Sequence, residues 1–355
     1  MFRYIGNKTK LLPVLMDIIA EETFPNATVV DLMSGTGSVA VALRKQGYHV
    51  IASDIMTYTK HHLVTQILLN APPSFQSLIE HLNIKCTNNA GYEAILNYLN
   101  SLSGKEGYFF NEFSPEGTPS NGSPSRKYFT SENARKIDAI RDVINSWIDN
   151  DLISPEEESV LKHTLIMAVN DVANISGTYG YFLSKFSKKS LEPIKLYPIE
   201  FISEGNTDNV VIQGFAEELA STIDADLCYI DPPYMKRQYA ANYHILETIA
   251  RGDFPETIGK SGLRNWWDQH SKFCTKTQIR DSFSKVINEM NCKKFIVSYS
   301  EDGLLSLDEL IELFSKFGEV KYKTVEYSRF RSNSSNLAKT LNEYVIILSK
   351  KESME

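Results

Sequence analysis

The sequence predicts an α/β fold: an open, mostly parallel sheet with an antiparallel hairpin at one edge, and a mainly helical insert between its two halves. Three observations carry this. Apolar, β-branched-rich runs end in Asp or Ser at ATVVD (27–31), YHVIAS (48–53) and DLCYID (226–231). Runs without a polar face are what strands covered on both sides of a parallel sheet require. The first two runs are each followed by helical spacing, so strand, helix, strand, helix opens the chain. From residue 72 to about 204 the pattern turns helical. Strand patterns then resume.

Each element follows in order. SVAVALRKQG (38–47) is a helix closed by Gly47, and 57–70 is helical with mixed apolar spacing. Within the insert, NEFSPEGTPSNGSPS (111–125) is rich in Pro, Gly and Ser and reads as a long exposed loop. SENARKIDAIRDVINSWI (131–148) and SPEEESVLKHTLIMAVNDVANI (154–175) are helices with Ser131 and Ser154 as N-caps and Pro155 at the first helical position. In the second half, VVIQ (210–213) is a short strand, FAEELAST (215–222) a short helix, KKFIVSYS (293–300) a strand and LDELIELFSKFG (307–318) a helix ending at Gly318. GEVKYKTVEYSRF (318–330) and NEYVIILSK (342–350) have strand composition and a connection short enough for an antiparallel edge hairpin. The expected division is 1–71 with 205–355 as the catalytic domain, and 72–204 as a helical insert for target recognition.

Composition bounds the function classes. At 355 residues, 42% hydrophobic and 23% charged, the chain is neither disordered nor fibrous. The N-terminal MFRYIGNKTK lacks the apolar core of a signal peptide, and no apolar run approaches the roughly 20 residues of a membrane span. A soluble, cytoplasmic protein is expected. Four cysteines (Cys86, Cys228, Cys274, Cys292) show no CxxC pair and no zinc spacing, so no metal site is predicted. His61 and His62 read as solvated helix residues, and Trp266–Trp267 as a satellite core rather than a DNA contact. The net charge of -7, from 37 basic and 44 acidic residues, argues against a polyanionic partner if taken over the whole chain. Locally it does not: 126–141 holds five basic and two acidic residues, 260–280 five against Asp268, and 321–339 five against Glu326. Phosphate contacts need only local positive surface.

Two motifs carry chemistry. DLMSGTGS (31–38) lies at a strand-to-helix junction, where glycines let backbone approach a ligand and the helix start offers free N–H groups. Asp54, at the end of the next strand, suits a pair of ribose hydroxyls. The segment also satisfies the dinucleotide pattern G-x-G-x-x-G/A, which leaves a dehydrogenase open. However, Asp31 close to the loop disfavours a pyrophosphate and favours a cationic sulfonium or amine. The second motif, Asp231-Pro232-Pro233-Tyr234, follows the 226–230 strand, so it should share the carboxyl edge of the sheet with the first. Two prolines donate nothing, so carbonyls and the Asp231 carboxylate face outward as acceptors beside the flat face of Tyr234. That array fits an exocyclic amino group.

In this order the motifs resemble the alpha arrangement of S-adenosylmethionine-dependent N6-adenine DNA methyltransferases, the Dam-like family, in its restriction–modification branch. FRYIGNK (2–8), QGFAEEL (213–219), RQYAANYHILETI (237–249), SYSEDGL (298–304) and, in the insert, RKYFTSENARKIDAIRDVI (126–144) and ANISGTYGYFL (173–183) carry the likeness further. Met33 stands where the family usually has an aromatic. The resemblance implies a Rossmann-like methyltransferase sheet, and S-adenosyl-L-methionine held by Phe2, Lys8, Asp31, Met33, Ser34, Gly35, Gly37, Asp54, Ile55, Gly214, Phe215 and Asp231. It also implies methyl transfer to a flipped adenine by Asp231, Pro232, Pro233 and Tyr234, on double-stranded DNA, with a cognate restriction endonuclease as possible partner. Arg126, Lys127, Lys185, Lys188, Lys189, Arg237, Arg329 and Arg331 are the candidates for contacts to the DNA backbone. Transfer to cytosine N4 or to RNA, and a catalytically silent DNA-binding homologue, remain the alternatives.

Overall fold

The computed structural model describes residues 8–87, 90–206, 208–328 and 340–351. Among these, the chain divides into two compact units: residues 64–203 with 240–268, and residues 8–63 with 204–239 and 269–351. The second unit is built on a seven-stranded sheet. Its strands are β1 (Thr28–Asp31), β2 (His49–Asp54), β3 (Val210–Gln213), β4 (Leu227–Ile230), β5 (Lys294–Ser300), β6 (Gly318–Ser328) and β7 (Thr340–Lys350). They lie in the order β3-β2-β1-β4-β5-β7-β6. The first five are parallel, and β7 and β6 close the edge as an antiparallel hairpin. This is the α/β sheet with edge hairpin that the sequence predicts.

The order reverses between β1 and β4, so a crevice opens there beyond the carboxyl ends of the strands. Register aligns that edge: Asp31 pairs with Ala52 and Tyr229, and Asp54 with Gln213. Alternation along the strands sorts their side chains between two faces. Val30, Cys228, Phe295, Val297, Ile346 and Leu348 meet Phe283 and Val286 of the helix Ile279–Glu289, and Leu310 and Phe314 of the helix Leu307–Phe314. Each such buried side chain contributes roughly 1.5–3 kcal/mol. On the other face Lys294 pairs with Glu22 at the end of the helix Leu12–Glu22.

The first unit is helical, and it takes in residues 240–268, which the expected division places with the sheet, as well as 64–203. Its long helices are Ser131–Asp149 and Pro155–Val172, with shorter ones at Gly91–Ser101, Tyr108–Phe113 and His244–Arg251. Ser154 caps the second long helix through a full capping box with Glu157, and Pro155 occupies its first turn. The first long helix is capped by Thr130, whose hydroxyl accepts from Asn133 N, and not by Ser131, which is already helical and buried. The expected helix over 57–70 runs as Thr57–Leu63 and then loosens into a π turn over Val64–Leu68. His61 and His62 are buried there, at 4% and 2% exposure, not solvated. No cluster of His, Cys, Asp and Glu able to hold a metal occurs among the described residues, and none of the described helices is long and apolar enough to cross a membrane.

Candidate active site

At the end of β1 the chain turns through Ser34, Gly35 and Gly37 into the helix Ser38–Lys45. Gly35 and Gly37 have φ of 54° and 77°, a region that side chains with a Cβ avoid. The turn is held from within. Ser34 N donates to Ser53 O at 2.9 Å, Gly37 N to Ser34 O at 2.8 Å, and Ser34 Oγ to Asp31 O at 2.8 Å. Asp31 itself is fully buried. Its Oδ2 accepts from Ala40 N at 3.0 Å, while its Oδ1 has no partner within the protein. Desolvation, with the nearby Asp231 charge adding to it, pushes the Asp31 carboxyl up to about 8. An orphaned buried carboxylate oxygen beside a glycine turn calls for a cationic or N–H donor.

Asp54 closes β2 and ties the neighbouring loops together. It accepts from Gly35 N at 2.9 Å and from Met56 N at 2.8 Å. Gly214 N donates to Asp54 O at 3.1 Å, which brings Gly214 and Phe215, just past β3, to the same edge. Ile55 O accepts from Gln213 Nε2 and Gln269 Nε2, each at 3.1 Å. Met33 is half-buried and packs against the sheet core.

Asp231-Pro232-Pro233-Tyr234 continues from β4, across the crevice from Asp31. Tyr234 O accepts from Leu304 N at 2.9 Å, and its ring meets Tyr299 edge-on at 5.9 Å. Gly303 admits this close packing, since a Cβ there would lie 2.1 Å from the Tyr299 ring. The segment SYSEDGL thus serves as the bracket of the Tyr234 loop. Lys8 Nζ lies 3.1 Å from Asp231 Oδ1 and 5.6 Å from the centre of the Tyr234 ring. It is also bonded to Glu343 on β7. Burial works against the Lys8 charge, but the Asp231 and Glu343 carboxylates hold its pKa well above the ordinary value. For Asp231, burial dominates and Glu343 adds to it against Lys8, and the carboxyl is pushed up to about 7.

The structure therefore brings together Lys8, Asp31, Met33, Ser34, Gly35, Gly37, Asp54, Ile55, Gly214, Phe215 and Asp231 to Tyr234 within one unit. Lys8 sits at the Asp231 side of the crevice, and Glu343, which the sequence reading did not single out, sits with it. Phe2, Arg329 and Arg331 lie outside the described residues.

Among the candidates for DNA contact, Lys185, Lys188, Lys189 and Arg237 are exposed. Lys189 is paired with Asp171, and Lys127 donates to Ser184 O. Arg126 must be corrected. It is fully buried, and its guanidinium donates to Lys260 O, Glu112 O, Glu112 Oε2, Asn121 Oδ1 and Gly259 O. Its five donors are thereby occupied, so it is a clasp between loops and has none left for a phosphate. Trp267 is likewise no core residue: it is 69% exposed and stacks at 4.9 Å on Trp266, which is half-buried.

Comparison with known proteins agrees with the site. Residues 4–324 match the family described as D12 class N6 adenine-specific DNA methyltransferase. The chain is 34% identical to type II methyltransferase M.FokI of Planomicrobium okeanokoites, over 98% of this chain and 52% of that protein. It is 32% identical to modification methylase StsI of Streptococcus sanguinis, again over 98% of this chain and 52% of the relative. With M.NlaIII of Neisseria lactamica it shares 33% identity over 98% of this chain and 99% of the relative. The chain thus spans about half the length of the first two relatives and nearly all of the third.

Proposed function

Since the chain belongs to the D12 class of N6 adenine-specific DNA methyltransferases, we propose that it methylates N6 of an adenine flipped out of duplex DNA. In this reading it is the cytoplasmic modification enzyme of a restriction–modification pair whose other member is a cognate endonuclease. The names of M.FokI, StsI and M.NlaIII support that setting. The observation that carries the chemistry is the pairing of two acidic strand ends across one crevice: Asp31 with an unsatisfied oxygen, and Asp231 in an acceptor-only turn beside Tyr234.

S-adenosyl-L-methionine would supply the electrophilic methyl group. The orphaned Oδ1 of Asp31 and the glycine turn fit its cationic end, and Asp54 with Ile55, Gly214 and Phe215 fits its nucleoside. Asp231 and the Pro232 carbonyl accept hydrogen bonds from the two N–H groups of the target amine, which loses one of these protons as it gains the methyl group. That draws the nitrogen toward sp³ geometry and directs its lone pair outward, while Tyr234 stacks on the base. No nucleophile of the protein is required. Positioning and electrostatics supply the acceleration. In the helical unit, Lys127, Lys185, Lys188 and Lys189 would contact the DNA backbone, joined by Arg237 in the sheet unit. Residues 72–204 would carry target recognition.

The test incubates the protein with tritiated methyl donor and mixed-sequence duplex DNA, followed by nucleoside analysis. N6-methyladenine is expected, and N4-methylcytosine or label only in RNA would overturn the reading. Asp231→Ala should abolish transfer and leave donor binding largely intact. Activity within about tenfold of the parent would remove Asp231 from its role.

A further inference from the structure

Glu343 lies in the sheet unit at the end where the crevice opens. β7 runs antiparallel, so its opening residues share an edge with the carboxyl ends of β4 and β5, and Glu343 pairs in register with Ser300. Strand alternation turns it to the face opposite Ile346 and Leu348, away from the main core cluster. It is 5% exposed. A carboxylate so buried is costly without a partner, and its partner is the Lys8 ammonium.

That ammonium serves two carboxylates. It is hydrogen-bonded to Glu343, yet Asp231 Oδ1, at ion-pair distance from Lys8, has no donor in hydrogen-bond geometry. One ammonium shared between two buried carboxyl groups is bonded to only one of them. The remaining groups facing Asp231 do not neutralise it. Tyr229 on β4 gives its hydroxyl proton to Ser298 Oγ at 2.9 Å, Asp31 on β1 is itself acidic, and Tyr234 lies under the Lys8 ammonium.

Resting on the methyl transfer proposed above, we propose that Glu343 is a positioning residue for that reaction: it captures the Lys8 ammonium, so that the Asp231 carboxyl keeps an oxygen open as acceptor for the target amino group. Without Glu343, Lys8 would turn wholly to Asp231 and quench it. A single lysine-to-Asp231 pair would bind the base less well than the trio does.

Glu343→Gln keeps the shape and removes the charge. In protein carrying 13C at the aspartate carboxyls, without donor or DNA, the Asp231 signal (assigned with Asp231→Asn) should titrate at lower pH in Glu343→Gln than in the parent. Single-turnover methylation should fall about tenfold or more while KM for DNA changes less than about threefold, and Glu343→Asp should recover part of the rate. An unchanged Asp231 midpoint, or turnover within about twofold of the parent, overturns the proposal. A parent protein that methylates no DNA would instead overturn the proposed function. The titration would still decide whether Glu343 governs Asp231.

Discussion

At the residue scale the site is a balance of buried acids against one lysine. Asp31 shows the consequence most directly, because its carboxyl sits near 8 in the folded chain against an ordinary 3.8. A raised folded pKa means that the native state holds a proton the unfolded chain has released. The associated stability is full below about pH 4 and is lost as pH rises through about 8, with several kcal/mol at stake over that window. Asp31→Asn should therefore gain stability relative to the parent as pH is raised from about 5 to about 8, measured by urea unfolding at each pH. Parallel curves would mean that Asp31 is not the strained acid. A cationic ligand selects the ionised form, so donor affinity should rise across the same interval. Asp31, the glycines and the Asp231 turn were legible because each motif is local. Glu343 was not: its bond to Lys8 spans 335 residues, and a lone acid in a strand pattern carries no spacing signal.

At the element scale, apolar and β-branched composition located all seven strands, most directly the buried parallel β1, β4 and β5, where a strand covered on both faces has little freedom in composition. Loops are a different case, because a Pro-, Gly- and Ser-rich composition does not say what a side chain inside it will bond. The segment after the helix Tyr108–Phe113 includes Ser120 and Asn121, and Ser120 N donates to Glu112 Oε1 while Thr257 Oγ1 donates to Glu112 Oε2. Arg126 closes that network, and so a residue that reads as a basic contact is instead part of the interior. Removing one member of a buried pair exposes the cost of the other. Arg126→Met should destabilise the protein by about 3–5 kcal/mol, and adding Glu112→Gln should restore a good part of it. A loss under about 1 kcal/mol in urea unfolding would show that the clasp is dispensable.

At the scale of the whole molecule, the charge of -7 is the wrong measure for a DNA partner. Screening confines each charge to about 8 Å at physiological salt, so what matters is which cations remain free at the surface. Burial separates them in a way that counting cannot. Arg126 is consumed internally and Lys189 is half-committed to Asp171, whereas Lys185 and Lys188 are exposed on the same unit. If Lys188 neutralises one phosphate, Lys188→Gln should reduce the slope of log K against log salt by about 0.9, and it should weaken all duplex sequences alike. Arg126→Gln, compared at a temperature where both variants are folded, should leave that slope unchanged. Binding isotherms across a salt series decide between the two. A slope that moved with Arg126 and not with Lys188 would mean that the buried clasp, and not the exposed lysine, governs the phosphate contacts.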